Sequence, residues 1–337
     1  MTDLAERRIL VTGSAGFIGF HVARALLERG ARVLGVDDFT PYYDPRLKEA
    51  RNAQLEDHAR FSLARLSIAD AERFGAAWRD FRPQLVIHLA AQAGVRYSID
   101  HPQSYIDANI TGTFNLLELA RHHPVDHLLA ASTSSVYGAN TDMPFAESQR
   151  TQTPVSLYAA TKGATELIGH SYAHLFGIPS TFFRFFTVYG PWGRPDMAPI
   201  KFARAILSGE PIDVYNNGDM VRDFTFVDDL VAAILDLIDA VPGKDAVPGD
   251  SLSPVAPFRT VNIGGGDPVK LGDFIDALER AIGRPAIRNL LPMQPGDMHK
   301  TYADIALLEA LTGKRTSTPL DTGIARFVDW YRGYNAA

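Results

Sequence analysis

The sequence predicts an α/β protein in which a doubly wound parallel sheet carries a smaller mixed α/β lobe at its C-terminal end. Three observations point there. Short apolar runs rich in β-branched and aromatic residues alternate with amphipathic stretches through the first half of the chain, the signature of strands joined by helical crossovers. The first two runs enclose a helical pattern closed by a glycine, which makes a βαβ unit. Near Gly190 the pattern changes to a Pro/Gly-punctuated mixture of short strands and helices.

Taken in order, the strand-like runs of the first half are residues 9–12, 33–36, 85–89, 128–131 and 181–186. Between the first two, Phe17, Ile18, Val22, Ala23, Leu26 and Leu27 recur at helical spacing, and Gly30 follows as a stop. Beyond Gly190, strands are expected at 212–215, 224–227 and 260–263, and helices at 200–207, 230–240, 271–282 and 322–331. Residues 1–188 are expected to form a nucleotide-binding domain that 225–265 rejoin, leaving 189–224 and 266–337 to a substrate lobe. The stretch 241–257 holds four prolines and two glycines without periodicity and reads as an exposed insertion.

Composition bounds the function. The 337 residues are 46% hydrophobic and 21% charged, which suits a folded chain of one large or two unequal domains and excludes a disordered or collagen-like one. A balance of 33 Lys+Arg against 39 Asp+Glu leaves a charge of −6, so there is no net positive field for nucleic acid or an anionic membrane. With no cysteine, disulfides, thiolate nucleophiles and Cys-ligated zinc are excluded. No apolar run approaches the roughly 20 residues needed to span a bilayer. The chain reads as untargeted, soluble and cytoplasmic.

The first strand runs into Thr12-Gly13-Ser14-Ala15-Gly16-Phe17-Ile18-Gly19, where a helix opens. Gly13 serves the tight turn, Gly16 lets the backbone approach a pyrophosphate, and Gly19 lets the helix pack on the strand. Asp37 ends the second strand 18 residues after Gly19, placed to accept both hydroxyls of an adenosine ribose. A 2′-phosphate would meet its charge, so NAD is expected rather than NADP. The turn makes the sheet Rossmann-type, and its Gly-x-x-Gly-x-x-Gly spacing is similar to that of the extended short-chain dehydrogenase/reductases.

Tyr158 and Lys162 stand four residues apart on an expected helix, hence on one face. A phenol is a poor base near neutrality, but a cation within about 4 Å favours the phenolate by up to about 4 kcal/mol at an effective dielectric near 20. Tyr-x-x-x-Lys alone is common in surface helices. Upstream, however, Ser132-Thr133-Ser134-Ser135 ends a strand, and ligands of such sheets bind at the carboxyl ends of their strands. A hydroxyl there bridges the phenol to a substrate oxygen, and the three motifs together point to hydride transfer.

The glycine turn, His88-Leu89-Ala90-Ala91-Gln92-Ala93-Gly94-Val95-Arg96, the Ser/Thr run, Tyr158 with Lys162, Arg184-Phe185-Phe186-Thr187-Val188-Tyr189-Gly190-Pro191-Trp192-Gly193-Arg194-Pro195-Asp196-Met197-Ala198, Arg222-Asp223-Phe224 and Leu291-Pro292-Met293-Gln294-Pro295-Gly296-Asp297 together resemble the UDP-glucuronate 4-epimerases. The resemblance runs from about Arg8 to Tyr331. It implies NAD as cofactor, a UDP-sugar as substrate and a homodimer built from two helices per subunit. It implies Thr133 as the hydroxyl at the sugar O4, Tyr158 as acid/base and Lys162 as its activator. Phe17, Ile18, Asp38, Leu89, Ala90, Ala91 and Phe185 join Gly13, Gly16, Gly19 and Asp37 around the cofactor. Arg96, Ser134, Ser135, Thr187 and Arg194 fall to the substrate, and Arg222 and Asp297 to its diphosphate and ribose. Relatives more often carry Asp in place of Ser67 and Asn in place of Asp38, both on the cofactor side.

Neighbouring activities need other residues. A 4,6-dehydratase of this scaffold places Asp then Glu where this chain has Ser134 and Ser135, and a decarboxylase usually keeps the Glu. Serine hydroxyls hydrogen-bond but do not act as acid or base near neutral pH. A 4-keto uronate loses its carboxylate readily when desolvated and aligned with the carbonyl, so donors that hold the carboxylate would protect it. Ser134, Ser135, Thr187 and Arg194 are the candidates. The expected activity is therefore 4-epimerisation of UDP-glucuronate to UDP-galacturonate, with a UDP-glucuronate decarboxylase as the alternative and, in another class, a noncatalytic NAD(H)-sensing protein. His88 lies in an apolar strand and reads as a core residue satisfied by backbone. No histidine shows metal-ligand spacing, and the chemistry needs no metal.

Overall fold

The computed structural model describes residues 3–243, 245–293, 298–315 and 317–336. Its frame is a seven-stranded sheet. The strands β1 (Arg8–Thr12), β2 (Arg32–Asp37), β3 (Phe61–Arg65), β4 (Leu85–His88), β5 (His127–Thr133) and β6 (Ser180–Phe185) come from the first half. After β7 (Thr187–Tyr189), β8 (Pro211–Tyr215) and β9 (Val221–Phe226), the chain returns to supply the seventh as β10 (Phe258–Ile263). The order is β10-β6-β5-β4-β1-β2-β3, with every pairing parallel. The chain thus moves outward from β1 through β2 and β3, then reverses to β4 on the other side of β1. That reversal opens a crevice at the carboxyl ends of β1 and β4.

Nine helices flank or extend this frame among the described residues of the first three quarters: α1 (Phe17–Glu28), α2 (Pro45–Glu56), α3 (Ala71–Phe81), α4 (Tyr97–Asp100), α5 (Pro102–Tyr105), α6 (Gly112–His122), α7 (Leu157–Phe176), α8 (Ala198–Ser208) and α9 (Val227–Leu237). The central strands are buried nearly end to end, as β4 and β5 show, because parallel strands are covered on both faces. On one face Phe20 and Leu26 of α1 meet Leu230 and Ile234 of α9 over Ile9 and Val261. On the other, Phe74 and Trp78 of α3 and Leu116 and Leu117 of α6 pack on Leu10, Val86 and Leu128. Among the described residues no helix is long and apolar enough to cross a membrane.

The smaller lobe adds β11 (Pro268–Lys270), α10 (Leu271–Ile282), β12 (Ile287–Leu291), β13 (Lys300–Thr301), α11 (Ala306–Thr312) and α12 (Leu320–Ala336). β12 pairs with β8, while β7, β11 and β13 all pair with β9. Ile200, Phe202, Phe274, Leu278 and Phe327 fill its core.

Two local outcomes differ from what the sequence suggests. Phe61–Arg65 forms β3 although it is not among the apolar runs, because it is an edge strand with a half-exposed face and few apolar residues. Residues 241–257 have no helix or strand among those described, yet the segment is anchored rather than loose. The Asp250 carboxylate accepts from Arg259 of β10 at 2.7 and 2.8 Å, and both side chains are buried.

Three histidines are enclosed by this packing. His88 hydrogen-bonds the hydroxyls of Thr12 (2.7 Å) and Thr113 (3.0 Å), so its partners are side chains rather than backbone. His127 sits between the Ile238 carbonyl and the Thr181 hydroxyl, and His21 donates to the Pro191 carbonyl. Burial lowers their pKa values to about 3 for His88 and about 4 for His127 and His21. The unfolded chain takes up protons near pH 6.5 that the folded state refuses, so their contribution is present above that pH and is lost as pH falls toward 4. Buried Glu147 and Asp223, with raised carboxyls, oppose this in part. The urea midpoint is expected to drop steeply between pH 6.5 and 4.5; a flat profile would mean that the rings carry protons inside the fold.

Candidate active site

The glycine turn is shaped by contacts that leave no room for side chains. Gly13 has φ +72°, and a Cβ there would lie 2.8 Å from the Ala90 amide nitrogen. At Gly19 a Cβ would lie 2.0 Å from the Gly13 carbonyl oxygen, so α1 packs against the turn only because residue 19 is glycine. The N-termini of α2, α3 and α7 are capped by Asp44, Asp70 and Ser156, whereas no side chain caps α1 at Gly16. Its first amides are therefore available to an anion, which is the donor set a dinucleotide pyrophosphate needs. Thr12 closes the crevice floor, its hydroxyl accepting from the Leu89 and Ala90 amides at 3.1 Å each.

Asp37 stands at the end of β2, buried. One carboxylate oxygen accepts from the Ala15 amide of the turn (3.1 Å), the other from the Phe39 amide (2.8 Å) and from Lys48 Nζ (3.0 Å). Lys48 is buried on α2, and no spacing rule links it to Asp37, since the contact forms only when α2 folds back over the end of β2. Asp38 accepts from the Thr40 amide (3.0 Å), and the Ser67 hydroxyl accepts from the Ala69 amide (3.2 Å).

Across the cleft, β5 ends at Thr133, and residues 134–137 turn over it as a short 3-10 helix. Thr133 Oγ1 accepts from the Ser135 amide and donates to the Ser135 hydroxyl, both at 3.2 Å. Ser156 caps α7 by accepting from the Ala159 amide, which fixes the helix phase that presents Tyr158 and Lys162 one turn apart. Burial raises the Tyr158 phenol above its ordinary value, while a hydrogen bond with Thr133 and the charge of Arg194 pull it back down. Lys162, expected from the sequence to do this, is itself lowered by burial to about 8, with Glu166 opposing. Glu166 is already committed: Arg184 forks onto it at 3.0 and 2.8 Å and Ser132 donates to it. Asn109, inside a π-helical turn, accepts from the Gln92 amide (2.8 Å) and donates to Thr161 on α7 (3.0 Å), tying the crevice wall to the helix that bears the phenol.

The cleft encloses about 450 Å³. Gly13, Gly16, Phe17, Ile18, Gly19, Asp37, Asp38, Leu89, Ala90, Ala91, Tyr158, Lys162 and Phe185 line it, as do Thr133, Ser134, Ser135, Thr187 and Arg194. Lys48, Tyr42 and Tyr43 line it too, unanticipated from the sequence. Two assigned arginines are not on this lining. The Arg96 guanidinium lies over the Tyr215 ring at 5.2 Å, and Arg222 donates to the carbonyls of Val221, Met298 and His299. Asp297 falls outside the described residues, along with the rest of 294–297.

A phenol, an ammonium and a hydroxyl gathered over a dinucleotide turn suit proton transfer coupled to hydride exchange, which defines a nicotinamide-dependent enzyme of the extended short-chain dehydrogenase/reductase class. Comparison with known proteins narrows the class. The NAD dependent epimerase/dehydratase family matches residues 9–249, and the chain belongs to that family. It is 53% identical over 329 residues to a probable UDP-glucuronate 4-epimerase of Rhizobium meliloti, covering 96% of each chain. It is 45% identical over 331 residues to UDP-glucuronate 4-epimerase 1 of Arabidopsis thaliana, covering 97% of this chain and 77% of the plant protein. The crystal structure of UDP-glucuronic acid 4-epimerase from Bacillus cereus with UDP-glucuronic acid and NAD superposes with a TM-score of 0.87 at 33% identity, covering 97% of this chain and 99% of that one.

Proposed function

We propose that the chain is an NAD-dependent UDP-glucuronate 4-epimerase that interconverts UDP-glucuronate and UDP-galacturonate. The observation that carries the reading is that Ser134, Ser135 and Arg194 line the same cleft as Tyr158, Lys162 and Thr133. Hydroxyl and guanidinium donors suit a carboxylate, and no acid/base pair stands where elimination would need one. The relatives named as UDP-glucuronate 4-epimerases support the choice of substrate.

The uncapped amides of α1, Asp37, Leu89, Ala90 and Phe185 would hold NAD, which when bound supplies reversible hydride exchange at the sugar C4. Tyr158 takes the O4 proton directly or through Thr133 and returns it after the 4-keto sugar has turned over. Lys162 steadies the phenolate, and a lysine brought to about 8 is poised to exchange protons near neutrality. Ser134, Ser135, Thr187 and Arg194 hold the carboxylate, solvating it and keeping it out of line with the C4 carbonyl. Arg222 and Asp297 are assigned to the nucleotide on the strength of the family resemblance. We divide the chain functionally into residues 1–188 with 225–265 for the cofactor, and 189–224 with 266–337 for the UDP-sugar.

Incubation of the purified protein with UDP-glucuronate, followed by nucleotide chromatography, tests the reading. UDP-galacturonate is the expected product. Predominant UDP-xylose or 4-keto pentose would replace the reading with a decarboxylase, and unchanged substrate on an NAD-loaded protein would favour a sensor.

Asp37→Ala removes the ribose acceptor and strands the Lys48 ammonium. Losing a charge-assisted hydrogen bond costs about 1.5–3 kcal/mol, so NAD affinity is expected to fall roughly 10–150-fold by equilibrium titration; unchanged retention would refute the ribose assignment.

A homodimer is supported by an apolar surface that the other described residues leave largely open. Phe114 on α6 is 46% exposed, and Leu167 and Leu175 on α7 are 75% and 64% exposed. Two adjacent helices with an apolar outer face suit a second copy of the same pair. Sedimentation is expected to give a dimer, and Leu167→Glu a monomer; a wild-type monomer at micromolar concentration would exclude this interface.

A further inference from the structure

Arg194 reaches the sugar side of the cleft from a short segment whose backbone is gripped by the nucleotide side. Three successive carbonyls lead into it. His21 donates to Pro191 O at 2.9 Å, and Arg51 donates to Trp192 O at 2.6 and 3.2 Å and to Gly193 O at 3.1 Å. The other arm of Arg51 donates to the Ala15 carbonyl inside the glycine turn at 3.0 Å and to the Tyr43 hydroxyl at 2.8 Å. One fully buried guanidinium thus joins the phosphate-binding turn to the loop before Arg194. Trp192 is held there at φ +60°, a left-handed conformation that a bulky side chain adopts only when its surroundings impose it.

A second contact acts on the side chain itself. The Tyr42 hydroxyl donates to Asp196 Oδ2 at 3.0 Å, and that same oxygen accepts from Arg194 Nη2 at 3.2 Å. Tyr42 belongs to the segment between β2 and α2, which also presents Asp38 and Thr40 to the cleft.

We infer that Arg51 and Tyr42 are positioning residues: from the nucleotide half they fix Arg194 in the sugar pocket, one through the backbone of 192–193 and the other through Asp196. The inference rests on the carboxylate-binding reading above and deepens it. With the clamp intact, Arg194 faces one direction and the uronate C5–C6 bond is held out of alignment with the π system of the C4 carbonyl, the alignment that assists loss of the carboxylate. With the clamp loosened, Tyr158, Lys162 and Thr133 keep their places and oxidation at C4 still occurs. A fraction of the 4-keto acid then decarboxylates: the C5–C6 bond breaks, carbon dioxide leaves, the electron pair enters a C4–C5 enolate and a proton returns at C5, giving a 4-keto pentose.

The test uses Tyr42→Phe, which keeps the ring against Tyr97 at 4.7 Å between centroids, and Arg51→Lys, which keeps the charge but loses the fork. Bound NAD and melting temperature are measured first. Calorimetry then compares UDP-glucuronate with UDP-glucose on the NAD-loaded proteins, and chromatography measures pentose formed per epimerisation. Each variant is expected to bind UDP-glucuronate roughly tenfold more weakly, the scale of one charge-assisted hydrogen bond, with UDP-glucose binding weakened much less and the pentose fraction raised. If Arg51→Lys does not fold, Tyr42→Phe decides alone. Variants that stay loaded with NAD, discriminate as wild type does and form no extra pentose overturn the clamp. A wild-type protein that itself binds UDP-glucuronate no better than UDP-glucose overturns the carboxylate reading and the clamp with it.

Discussion

Tyr158→Phe is expected to lower turnover at least a hundredfold while leaving nucleotide-sugar affinity little changed. The substitution keeps the ring that packs edge-on against Tyr105 at 6.1 Å between centroids and removes only the hydroxyl proposed to exchange the O4 proton. Positioned acid/base groups contribute about 10²–10⁴-fold, and no carboxylate or histidine stands among the residues around Thr133 on the cleft lining to take over. Because burial raises the phenol, the wild-type rate should climb with pH through the neutral range as the phenolate fraction grows, and the variant's residual rate should lose that dependence. Steady-state kinetics across pH on both proteins checks this. More than a tenth of wild-type activity in the variant would assign the base elsewhere.

Discrimination between UDP-glucuronate and UDP-glucose is expected to be larger still. Ser134, Ser135, Thr187 and Arg194 line the cleft, and the pocket proposed from them would offer several donors to C6. A hydroxymethyl group satisfies few of them, and the rest stay buried and unpaired. Sites of this kind reject the mismatched analogue by factors on the order of 10⁴–10⁵. Competition between the two sugars for one enzyme sample gives the ratio of kcat/KM directly. Comparable turnover of UDP-glucose would show that the carboxylate pocket is misassigned, whereas strong discrimination with abundant pentose would leave the pocket in place and move the chemistry to decarboxylation.

What the sequence discloses about this site is what depends on short range. Gly13, Gly16 and Gly19 are legible because a strand, a turn and a helix start follow one another within a dozen residues, each with a local steric demand. Tyr158 and Lys162 are legible because the helical repeat places them on one face. Asp37 is found by its distance from the turn, but Lys48 beside it is not, because an ion pair between a strand end and the second turn of the next helix has no fixed spacing. Arg51 is harder again: its partners at Trp192 and Gly193 are 141 and 142 residues away. The strand at 258–263 has an ordinary β pattern, and nothing local says that it crosses back to lie beside β6. Arg96 and Arg222 show the reverse case, in which a motif match places residues near a ligand while their side chains here stack on Tyr215 and brace the 298–299 backbone.

The 3.0 Å contact between Asp37 and Lys48 bears on how lineages of such enzymes change. At one spot the chain carries both responses to a ribose 2′-phosphate, an acid that repels it and, immediately behind, a base that would attract it. Only the acid's presence decides between them. A single replacement at position 37 by a small neutral residue uncovers the ammonium and leaves Tyr158 alone, at the cost of the hydrogen bonds Asp37 accepts from the Ala15 and Phe39 amides. On the proposed reading, cofactor preference is concentrated at one side chain and its neighbour and is separable from substrate choice, whereas sugar recognition is spread over four side chains and the clamp behind them.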